Sequence, residues 1–101
     1  MDLKEEKYIT ILAKYGNISI AADKLFISQP ALSMYVRKIE KILGVKLFDR
    51  SGKKFVLTPA GELYVQKAKE MLRLDEEFHA GLNDFNNNMS GKLSIGIESS
   101  L

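Results

Sequence analysis

Within the stretch Ser28-Gln29-Pro30-Ala31-Leu32-Ser33-Met34-Tyr35-Val36-Arg37, three side chains have the chemistry to read base-pair edges. The Gln29 amide matches an adenine edge, the Ser33 hydroxyl pairs with several groups, and Arg37 donates to guanine or phosphate. Arg50, Lys53 and Lys54 cluster a short way downstream. Cations grouped like that suit phosphates or a reach into a minor groove.

Such groups act together only if one helix presents them. Ser28 is placed to cap a helix with its hydroxyl, and Pro30 follows in the first turn, where a missing N–H costs nothing. Leu32, Val36, Ile39 and Leu43 step by four, three and four, which predicts one buried seam ending at Gly44. At about 100° per residue, Pro30, Met34, Arg37, Lys38 and Lys41 fall on the opposite face. Gln29 and Ser33 lie on a flank near the helix start.

Upstream, Tyr8, Leu12 and Tyr15 recur at helical spacing within Leu3–Tyr15, with Ile9 and Ile11 widening the stripe. Gly16 ends that helix, and Asn17 can cap a short one from Ile18 to Leu25. Its inward face is Ile18, Ala21, Ala22 and Leu25, where the two alanines let another helix approach closely. Phe26 and Ile27 form the turn and are expected to tuck inward. A short helix, a tight turn and a basic second helix over about 18–37 predict a helix-turn-helix.

Downstream, Lys46–Arg50 and Lys54–Leu57 flank Ser51-Gly52-Lys53, predicting a hairpin wing at about 46–57. Thr58 and Pro59 then open a helix expected to reach about Asn87, roughly 43 Å long. Tyr64, Met71, Phe78 and Phe85 are spaced by seven, beside a second row of Ala68, Asp75, Leu82 and Met89. Heptad rows predict a seam for a partner helix, most simply that of a second copy. Asp75 interrupts the seam without explanation. Asn86–Asn88 and Ser90-Gly91 form a polar break, after which Lys92–Ile97 alternates like a strand. A lone strand is not stable by itself, so the chain is expected to stop just inside another domain. The predicted organisation is therefore a mainly α winged helix-turn-helix over 1–58, a dimerisation helix over 59–89, and a hinge with a first strand over 90–101.

Bulk composition fits that plan. The chain has 101 residues, 46% of them hydrophobic and 28% charged, and no cysteine, which excludes disulfides and thiolate metal sites. Net charge is only +2, but residues 1–58 hold eleven Lys and Arg against six Asp and Glu, while 59–101 hold four against seven. A front half at +5 and a back half at −3 predict a polyanion at the front. His79 is the single histidine, and there is no phosphate-cradling glycine loop or carboxylate cluster. No enzyme, metal or cofactor site is expected. With neither a long apolar run nor a secretory signal, the chain reads as cytoplasmic and not membrane-bound. The competing reading is a winged-helix protein-interaction module without DNA binding.

The Ala21-Ala22 helix, Leu25–Ser33 (LFISQPALS), Ile39–Arg50 (IEKILGVKLFDR) and Leu57–Gly61 (LTPAG) together resemble the DNA-binding domain of LysR-type transcriptional regulators. Gly91–Ile97 (GKLSIGI) also looks like the start of that family's effector-binding domain. The resemblance implies a homodimer paired through antiparallel linker helices, binding double-stranded promoter DNA. A small-molecule effector is implied only for a full-length protein. Ser28, Gln29, Pro30 and Ser33 match the DNA-facing start of the family's recognition helix, Arg37 a basic position farther along, and Arg50 the wing arginine. Met34 stands where arginine is common and Ile20 where a basic or polar residue is common. Met34 is therefore expected to touch a thymine methyl or no base.

Overall fold

In the computed structural model, which describes residues 2–92 and the side chains of 2–87, local contacts set where each of the first three helices begins. Helix α1 (Lys4–Tyr15) begins where the Lys4 N–H donates to the Asp2 carboxylate at 3.0 Å. Glu5 and Glu6 occupy its first turn, at the positive end of the helix dipole. It stops at Gly16, whose φ of 65° few side chains tolerate and whose N–H returns to the Leu12 carbonyl. Helix α2 (Ile18–Lys24) is capped by Asn17 Oδ1, which accepts from the Ile20 N–H at 3.0 Å. Helix α3 (Gln29–Leu43) is capped by Ser28 Oγ, which accepts from the Ala31 N–H at 3.2 Å, and closes at Gly44.

Strands β1 (Phe48–Ser51) and β2 (Lys54–Leu57) pair antiparallel, with Arg50 opposite Phe55 and Gly52-Lys53 as the turn. The far edge of β2 does not hang free. The Ile18 N–H donates to the Lys53 carbonyl at 2.9 Å and the Phe55 N–H to the Gly16 carbonyl at 3.0 Å. The hairpin is thereby fixed to the corner between α1 and α2. Helix α4 (Pro59–Lys92) follows.

One core unites these elements: Ile9 and Leu12 of α1, Ala21 and Ala22 of α2, Leu32, Val36 and Ile39 of α3, then Leu47, Phe48, Phe55 and Val65. Full burial of each large apolar side chain contributes about 1.5–3 kcal/mol. The result is the mainly helical winged architecture that the periodicities predict.

Five local expectations require correction. Phe26 is 94% exposed, not tucked inward. Its backbone is left-handed at φ 58°, with its N–H on the Asp23 carbonyl, and Ile27 alone turns to the core. Leu43 is exposed, and the four-residue step from Val36 is taken instead by buried Glu40. Strand β1 starts at Phe48 rather than Lys46, because the Leu47 and Phe48 N–H groups bond to Glu40. Helix α4 continues to Lys92 through Asn86–Asn88 and Ser90-Gly91. Extending an existing helix through weak formers costs at most about 1 kcal/mol per residue, the upper end falling on glycine. The predicted strand beyond Lys92 lies outside the described residues.

The fifth correction concerns the seam of α4. Ala68 is buried and Tyr64 half-buried against this chain's own core, so neither faces outward. Burial leaves the Tyr64 hydroxyl without a partner among the described residues and pushes the phenol up to about 12, with the Glu6 and Glu5 carboxylates adding to the effect. Asp75, unexplained in a dimer seam, instead lines a cleft with Lys4, Lys7 and Leu72 where α4 passes the start of α1. The exposed stripe is Leu63, Met71, Leu74, Phe78, Leu82 and Phe85. The Met89 side chain lies outside the described ones.

Candidate nucleic-acid interface

Helix α3 presents one polar face because Leu32, Val36 and Ile39 hold its other side in the core. Ser28, Gln29, Pro30, Met34 and Arg37 are exposed, and Ser33 is half-buried between them. Met34, 67% exposed, is the apolar member of a polar row. Arg37, Lys41 and Lys46 share with Arg50 and Glu40 a groove between the second half of α3 and the segment leading to β1.

Two cross-links from other elements hold this face. At its start, the Ser19 hydroxyl on α2 donates to Gln29 Oε1 at 2.7 Å. One turn farther on, Arg50 Nη1 on β1 donates to Ser33 Oγ at 3.3 Å. Arg50 is itself held: Nη2 donates to Glu40 Oε1 at 3.0 Å, and the guanidinium stands 4.9 Å from the centre of the Phe55 ring. The other Glu40 oxygen accepts the Leu47 and Phe48 N–H groups at 2.8 and 3.2 Å. A single buried carboxylate therefore satisfies two backbone donors at the foot of the wing and the arginine that reaches Ser33.

These contacts divide the nine residues that the sequence singles out. Ser28, Gln29, Pro30, Ser33, Met34 and Arg37 form one contiguous face. Lys53 and Lys54 stand exposed at the hairpin tip, joined to α2 through the Lys53 carbonyl. Arg50 belongs to neither group, since its side chain is 19% exposed and committed within the chain. Ser19 and Glu40 escaped the reading of the sequence. For Glu40 the signal was present, because a carboxylate four residues after Val36 falls on the buried seam and requires partners. Nothing local distinguishes Ser19.

Three packed helices with a hairpin returning beside a polar third helix define a winged helix-turn-helix. The profile of the bacterial regulatory helix-turn-helix proteins of the lysR family matches residues 3–62, and the chain belongs to that family. It is 39% identical over 94 residues to a probable RuBisCO transcriptional regulator of Gracilaria tenuistipitata var. liui, covering 93% of this chain and 30% of that protein. The DNA-binding domain of BenM in complex with benA site 1 DNA matches with a TM-score of 0.79 at 28% identity, covering 85% of this chain and 97% of that one. DarR of Vibrio fischeri in complex with DNA matches with a TM-score of 0.76 at 31% identity, covering 86% and 30%. The chain spans about a third of the length of the curated relatives it matches.

Proposed function

We propose that this chain binds double-stranded promoter DNA as a homodimer and serves as the DNA-reading part of a transcriptional regulator. The observation that carries this reading is the exposed face Ser28, Gln29, Pro30, Ser33, Met34 and Arg37, braced from α2 and from the wing. Helix α3 lies in the major groove with that face towards the bases, and Lys53 and Lys54 neutralise phosphates beside it. Arg50 acts indirectly. With its guanidinium held by Glu40 and Ser33, it fixes the wing against α3 rather than gripping phosphate. BenM and DarR, whose matching structures hold DNA, support the same assignment over a protein-interaction module.

Two copies pair through the exposed stripe on α4, namely Leu63, Met71, Leu74, Phe78, Leu82 and Phe85. Its spacing of three and four residues from Met71 to Phe85 suits a second helix. The regulator works in the cytoplasm, needs no cofactor or metal for DNA binding, catalyses no reaction, and answers a small molecule only through a further domain. Among the described residues no helix is long and apolar enough to cross a membrane.

A mobility-shift titration over a salt series tests the reading, with the wild type beside Phe78→Asp. Wild-type affinity is expected to fall log-linearly with salt as counterions are released. Phe78→Asp places a charge in the seam and is expected to weaken binding at least tenfold while sedimenting as a monomer. Absence of a wild-type shift even at low salt sinks the DNA reading, and an unchanged Phe78→Asp dimer sinks the seam.

A further inference from the structure

The bond from Ser19 to Gln29 joins the first turn of α2 to the first residue of α3, at the end of the helix that faces the bases. A glutamine amide can present either of two edges, which differ by exchange of its oxygen and nitrogen. Free in water, it samples both. The Ser19 hydroxyl donates to Oε1 at 2.7 Å, and because a hydroxyl both donates and accepts, it holds the amide in place whichever end faces it. The carbonyl oxygen keeps a second lone pair, and both Nε2 protons remain free.

We infer that Ser19 is a positioning residue that locks Gln29 as a reader of adenine in the major groove. This rests on the DNA-binding reading above. An amide fixed in this way offers one acceptor beside one donor. Adenine presents the complementary pair in the major groove, the N6 amino donor beside the N7 acceptor, whereas guanine presents two acceptors at O6 and N7. An exchanged amide would turn Nε2 towards Ser19 and donate to its hydroxyl oxygen instead, still leaving one donor and one acceptor for the base. Rotor freedom is thus removed before DNA arrives, which concentrates the selectivity of Gln29 on one base. Ser33 is braced in the same manner by Arg50, whose donation to Oγ leaves the serine proton free to point at DNA.

The test uses sites selected by the wild-type chain from a randomised duplex pool. In the selected site each adenine is replaced, one at a time, by 7-deazaadenine, which lacks the N7 acceptor. The wild type is expected to lose about tenfold in affinity at one adenine per half-site, and Gln29→Ala to lose nothing further there. Selectivity is then read as the ratio of affinity for that site to affinity for the site carrying guanine in place of this adenine. Ser19→Ala is expected to lower the ratio about fivefold, and Ser19→Thr, which keeps the hydroxyl, to restore it. A ratio unchanged in Ser19→Ala, or a loss equal on both sites, overturns the positioning role. Wild type that binds DNA but ignores every 7-deazaadenine overturns the adenine assignment alone. Failure to bind any duplex overturns the proposed function instead.

Discussion

Replacement of Glu40 by alanine is expected to destabilise the fold by about 3–5 kcal/mol, the usual cost of removing one partner from a buried ion pair. Its oxygens satisfy the Leu47 and Phe48 N–H groups and the Arg50 guanidinium. Alanine leaves two backbone donors and a half-buried cation without their acceptor. Lost hydrogen bonding to buried donors alone accounts for about 1–3 kcal/mol each. Total stability of a domain this size is about 5–15 kcal/mol, so the variant sits near the edge of folding. Urea denaturation followed by helical circular dichroism measures the loss. Glu40→Gln keeps an acceptor but not the charge and is expected to fall between alanine and wild type. A Glu40→Ala loss below about 1 kcal/mol would show that the wing does not depend on this carboxylate.

Conversion of Gly61 to alanine is the second large effect, and here helix propensity and steric fit oppose each other. In a helix interior, alanine is favoured over glycine by about 1 kcal/mol. Gly61, however, is buried in the first turn of α4, directly over the Leu47 carbonyl. An added Cβ would overlap that carbonyl and stand 2.9 Å from Leu57 Cδ2. The helix cannot retreat cheaply. Thr58 Oγ1 accepts from the Gly61 N–H at 3.0 Å and donates to the Lys46 carbonyl at 2.6 Å, while the Thr58 N–H donates to the Leu47 carbonyl at 3.0 Å. Overpacking of this kind costs about 1–3 kcal/mol, and more against backbone. Steric conflict wins, and Gly61→Ala is expected to lose a net 2 kcal/mol or so despite the gain in propensity. Calorimetry reading a higher midpoint for the variant would refute the close approach.

Local chemistry explains what the chain makes legible. Asn17, Ser28, Gly16, Gly44, Thr58 and Pro59 act on backbone groups within a few residues, so their roles follow from spacing alone. The Leu32–Val36–Ile39 seam is legible for the same reason. Phase on α4 is not. Heptad spacing reveals that an apolar stripe exists, but α1 decides which side of the helix is already covered, and it takes Tyr64 and Ala68. Leu63 and Leu74 then join the outward stripe in their place. Glu40 and Arg50 lie ten residues apart, and their meeting depends on the chain reversal at Gly44. Ser19 is harder still, since only the angle between α2 and α3 brings it to Gln29. On the candidate interface, the residue types are therefore visible in the sequence, while the contacts that orient them emerge from the fold.

The most direct test of the central claim, that α3 of each of two copies reads the major groove, is protection from dimethyl sulfate on promoter DNA bound by this chain. The reagent methylates guanine N7 in the major groove and adenine N3 in the minor groove. Guanine N7 is expected to be protected in two patches, with centres about one helical turn, 10–10.5 base pairs, or a multiple of it apart. Full reactivity of guanine N7 at saturating protein, with protection confined to adenine N3, would contradict that claim.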